Sequence, residues 1–120
     1  MRLRPETLRY YVERARDILV DVARGKRERN FIFYQELMDE MGGPGRGYIG
    51  EVLEEVCCSE HKRAHPLLSA LVTHSSDRSP GYGFWCIRCL PERVKNSSDE
   101  EKRGFWLEEY DKVLYFWQHH

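Results

Sequence analysis

The groups in this chain best suited to chemistry are its thiols and imidazoles. Cys86-Ile87-Arg88-Cys89 has the C-x₂-C spacing of a zinc knuckle, and Cys58-Ser59-Glu60-His61 supplies a second pair spaced alike. Thiolate and imidazole are the ligands that tetrahedral zinc prefers. Cys58, His61, Cys86 and Cys89 are therefore the candidate metal set, with Cys57 and His65 as substitutes. The same cysteines also fit as small apolar residues of a core. Thiol–disulfide exchange at Cys86 and Cys89 is a third option, without the strand-to-helix setting of a thioredoxin-type motif. Any zinc is expected to be structural, and no cofactor is required. His74, Ser75 and Asp77 hold the residue types of a hydrolase triad. They stand in a turn-rich tip with no oxyanion pocket in view, so no catalytic residue is assigned.

Charge carries the second signal. Lys and Arg number 19 against 20 Asp and Glu, so a net charge of -1 excludes a broadly cationic nucleic-acid coat. The balance is uneven, however. Residues 1–30 hold nine basic side chains against five acidic ones, and the excess acid lies further on. Arg9, Arg14 and Arg16 on the first helix, with Arg46 and Arg78 later, are the candidate contacts to DNA phosphates. Glu51, Glu54 and Glu55 oppose that use, because they ride on the helix that would approach the duplex. No apolar run approaches the roughly 18 residues that span a bilayer, and Arg2 and Arg4 lead into a charged helix, so a cytoplasmic chain without a membrane partner is expected.

The elements that would position these groups follow from periodicity. A single domain of 120 residues is expected, of α+β class. Its first helix occupies 1–25, opening at Pro5 and carrying Leu8, Tyr11, Ala15, Ile18, Leu19 and Val22 on one face. Residues 31–58 read as a helix-turn-helix, with Gly42-Gly43-Pro44-Gly45 as its turn and Ile49, Val52, Leu53 and Val56 facing inward from the second helix. Residues 66–87 read as a β-hairpin wing, Leu67–His74 forming one strand and Tyr82–Cys86 the other. A hairpin turning near Asp77 would set Cys89 opposite His65 and bring the thiols toward the end of the preceding helix. Residues 98–118 form the last helix, opened by the Ser98–Glu101 capping box. This order is a winged helix flanked by an N-terminal helix and a long C-terminal helix. Phe105, Trp106, Tyr110, Phe116 and Trp117 make the last helix apolar over a wide arc, which suits either the core or a dimer interface.

Residues 30–84 resemble the DNA-binding half of the O6-alkylguanine-DNA alkyltransferases and their nucleophile-less relatives. The comparable pieces are Tyr34-Gln35-Glu36-Leu37, Gly45-Arg46-Gly47-Tyr48-Ile49-Gly50, Pro66-Leu67-Leu68-Ser69-Ala70-Leu71-Val72 and Gly81-Tyr82-Gly83-Phe84. Ser69 stands where that family has its nucleophilic Cys, and Ala70 and Leu71 replace the His and Arg that follow it. The family's inserted arginine falls at Gly47, one place from Arg46. The resemblance thus implies the fold and a DNA partner, not alkyl transfer, since a serine without a neighbouring base is a poor nucleophile. The segment Pro80 to Phe84 is also similar to the hairpin end of small bacterial and phage proteins of no established activity.

The expectation is a non-enzymatic winged-helix domain directed to duplex DNA through helix 1 and the wing arginines. The alternative is a domain that dimerises or docks a protein partner through the aromatic C-terminal helix.

Overall fold

The structure is a computed structural model that describes residues 2–76, 79–80, 82–85 and 87–120. Helix α1 spans Pro5–Ala23, with Pro at its first turn, where the missing N–H costs nothing. Its buried side is Ala15, Ile18, Leu19, Val20, Val22 and Ala23, the stripe set by steps of three and four. A two-residue strand β1, Ile32–Phe33, leads directly into α2, Tyr34–Met41. Gly42 closes α2 in the left-handed conformation at φ 77°, which costs a glycine little. Gly43 follows at φ 139°, and a Cβ there would stand 2.7 Å from the Tyr11 hydroxyl, so side chains are excluded from this corner. Helix α3, Arg46–Lys62, then packs across α1.

The hairpin expected over 66–87 is replaced by other structure. Leu68–Leu71 form a 3-10 turn, and Val72–Thr73 form β2, which pairs in parallel with β1 in the register Ile32 to Val72 and Phe33 to Thr73. Tyr82–Trp85, expected to be the return strand, is the short helix α4. Burial gives the reason. Every residue from Leu67 to Thr73 is buried, so this run is a core segment enclosed by α1, α3 and α6. A wing strand would show water on alternate residues. Asp77, Arg78 and Cys86, all part of the expected wing, lie outside the described residues.

Helix α5 is the single turn Glu92–Lys95, and α6 runs from Asp99 to Gln118. The Ser98 hydroxyl accepts from the Glu101 N–H at 3.2 Å while the Ser98 N–H donates to Glu101 Oε1 at 3.3 Å, closing the capping box. The expected aromatic interface is largely spent inside the fold. Trp106 and Trp117 are each only 6% exposed, and Phe105, Tyr110 and Phe116 pack half-buried against the same core. Trp106 Nε1–H donates to the Ala70 carbonyl at 2.9 Å, and buried Glu109 accepts from the Leu67 N–H at 3.2 Å. The 3-10 turn thus gives α6 a seat that periodicity alone could not distinguish from a partner's surface. The architecture is α+β: among the described residues the regular structure is helical apart from the β1–β2 pair.

Candidate functional site

Beside the N-terminal half of α3 the fold leaves a cleft of about 530 Å³. The end of β1 contributes Phe33, the first turn of α2 contributes Tyr34 and Gln35, and α3 contributes Arg46, Ile49, Gly50 and Leu53. Glu36 and Met38 of α2, Ser69 of the 3-10 turn, His74 and Ser75 after β2, and Phe84 and Ile87 complete the wall. The rings of Tyr34 and His74 lie 5.0 Å apart, and Phe84 is 2% exposed, so the lining is aromatic and mostly apolar. Ser69 is also 2% exposed, and its hydroxyl accepts from the Cys57 thiol at 3.0 Å. Burial pushes that thiol up to about 11, against a partial pull downward from Ser69, so it is protonated at neutral pH. With Ala70 and Leu71 next in the chain, Ser69 has no base among its sequence neighbours to activate it. The cleft can hold a small, mostly apolar ligand, with the Ser69 hydroxyl and the His74 imidazole in its wall.

The outer face of α3 is less acidic than its composition suggests. Glu51 accepts from the Leu3 N–H at 3.2 Å, which ties the residue between Arg2 and Arg4 to this helix. Arg88 binds the other two carboxylates. Its Nη1 donates to Glu54 Oε1 at 2.8 Å, its Nη2 to Glu55 Oε1 at 2.8 Å, and its main-chain N–H to Glu54 Oε2 at 2.9 Å. The same helix carries Gly47 and Gly50, where an added Cβ would meet no described atom within 4 Å, and Gly50 lines the cleft. Arg46 opens the helix, is exposed, and has no hydrogen-bond or ion-pair partner among the described residues.

The five arginines expected to contact phosphate therefore divide. Arg46 borders the cleft, and Arg9 is exposed on α1 without a partner among the described residues. Arg14 donates to the carbonyls of Met41 at 3.1 Å and Glu40 at 2.8 Å, satisfying the C-terminal end of α2. Arg16 reaches buried Glu60 at 3.2 Å and covers the Trp117 ring at 5.4 Å. Both guanidiniums serve the fold. Arg78 lies outside the described residues.

The candidate zinc ligands are brought together only in part. Cys89 is held up to about 12 by burial and then by its hydrogen-bonding neighbour Cys58, so these two thiols adjoin. Cys57 turns to Ser69 instead, His61 is exposed, and His65 faces Glu60 at 3.4 Å and Phe116 at a ring separation of 4.5 Å. Among the described residues no group of three or more Cys, His, Asp or Glu side chains could hold a metal ion. Cys86 lies outside them. His74 and Ser75 are exposed, and Asp77 also lies outside.

Sequence reasoning missed the cleft, whose walls come from five separate stretches of chain. It also missed Arg88, hidden as a spacer within the C-x₂-C. A signal for the open face existed in Gly47 and Gly50, two glycines three apart inside a helix. Comparison with family models, with curated proteins and with solved structures found no match. No helix among the described residues is long and apolar enough to cross a membrane.

Proposed function

We propose that this chain is a non-enzymatic DNA-directed binding domain that sets the N-terminal half of α3 against the sugar-phosphate backbone and receives one unstacked base in the cleft. The observation that carries this is the cleft itself: an aromatic, mostly apolar space with Arg46 at its edge, opening beside a helix face reduced to glycine. A base leaving the stack needs an apolar, ring-lined pocket and a few hydrogen-bonding groups, and Tyr34, His74, Phe84 and Ser69 supply both. Among the described arginines of the N-terminal segment, α1 and α3, Arg2, Arg4, Arg9 and Arg46 are left to meet phosphate. The resemblance of residues 30–84 to the alkyltransferase DNA-binding half favours the same partner, and Ser69-Ala70-Leu71 in place of that family's Cys-His-Arg favours binding over chemistry. No wing is required in this mode. A protein partner on α6 is the weaker alternative, since Leu107 and Tyr115 are the only large apolar side chains of that helix classed as exposed among the described residues.

The test is fluorescence anisotropy with a labelled duplex, fully paired or carrying one bulged base, at about 50 and about 200 mM salt. Four phosphate contacts imply a loss of roughly 100-fold in affinity across that range. The bulged duplex should bind several-fold more tightly, because the unstacking is already done. Arg46→Ala should weaken both. Failure of either duplex to bind at about 50 mM salt would overturn the proposal.

A further inference from the structure

We infer that Arg88 is the positioning residue that makes α3 approachable by a polyanion, by masking Glu54 and Glu55 from within the chain. This rests on the DNA-binding mode proposed above. Glu54 and Glu55 follow Gly50 by one turn of α3, so with Glu51 beside Gly50 and Glu36 in the cleft wall they add to the negative field that an approaching phosphate meets. Left bare, the pair would oppose binding. One guanidinium joined to both at 2.8 Å cuts their combined charge from two negative units to one and fixes both carboxylates in place. The main-chain bond from Arg88 to Glu54 at 2.9 Å anchors the base of the side chain, so the fork is held by its backbone as well as by its tip. A lysine at 88 would carry the same charge without the planar fork that engages two acids at once.

Arg88 also follows Ile87, which walls the cleft, so two effects of its loss must be separated. The experiment compares wild type, Arg88→Ala, the double variant Glu54→Gln/Glu55→Gln, and the triple variant, on the paired and bulged duplexes at about 50 mM salt. Arg88→Ala should bind both duplexes about 5- to 20-fold more weakly, with the deficit shrinking at higher salt. The triple variant should return to within about twofold of wild type, since no acid remains to be masked. Because Arg88 is 55% exposed in its side chain, melting temperatures should change little across the set. Wild type that binds while Arg88→Ala binds equally well overturns the masking role alone. A triple variant that stays as weak as Arg88→Ala also overturns it, and assigns Arg88 to the cleft wall. Wild type that binds neither duplex removes the DNA-binding mode together with this inference.

Discussion

Raising the pH above 9 should weaken this fold through one buried atom. The Cys57 side chain is fully buried, and its thiol titrates at about 11 in the folded chain against 9.0 when free. Removal from water is the main cause, and the Ser69 hydroxyl offsets only part of it. The folded state therefore holds the proton more tightly than the unfolded state. Its contribution is fully present below pH 9 and is lost as the pH climbs toward 11. Two pK units correspond to about 3 kcal/mol at the limit, of which about 2 kcal/mol is lost by about pH 10.5. A chain of this size is stable by roughly 6–18 kcal/mol, so the loss is readable. The assay is urea unfolding followed by tryptophan fluorescence at several pH values from about 7.5 to about 10.5, for wild type and Cys57→Ala. Every other ionisable group is common to both proteins, so the difference in slope isolates Cys57. With urea slopes of about 1–3 kcal/mol/M, the wild-type midpoint should fall by about 1 M more than that of the variant. Parallel curves across this range would show that Cys57 is not held in an apolar site beneath Ser69.

The open face of α3 gives a second expectation. Gly47→Ala and Gly50→Ala should each stabilise the domain by up to about 1 kcal/mol, read as a raised melting temperature, because the new methyl meets no described atom within 4 Å. Gly50→Trp should leave the fold intact yet reduce duplex affinity at least tenfold by filling the mouth of the cleft. At the far end of the chain, Ser98→Ala should cost about 1 kcal/mol in urea unfolding by removing the cap of α6, with duplex affinity unchanged.

Much of this architecture is legible in the residues, and its failures have a common origin. Helix periodicity and the Ser98–Glu101 box locate α1 and α6 because both signals are local. The stretch from Leu67 to Thr73 is not legible in the same way: an apolar run of that length reads as a strand, yet it is a 3-10 turn and one short rung of a parallel pair. Arg14 and Arg16 fall outside the apolar stripe of α1, as solvent-facing residues would. Periodicity identifies a face but not the neighbour that covers it, here the end of α2 and Glu60. The cleft is harder still, since Tyr34, Arg46, Ser69, His74 and Phe84 converge only after the β1–β2 pair has joined distant segments.

The contacts of α6 also govern when the molecule can exist. The Gln118 side chain donates to the Ala23 carbonyl and Trp106 to that of Ala70, so a helix synthesised after α1 and the 3-10 turn seals elements made long before it. Until it emerges, the nascent chain presents the apolar seats of two tryptophans to chaperones and to other growing chains. A messenger truncated within α6 would therefore yield a protein without a closed core, degraded or aggregated rather than merely weakened.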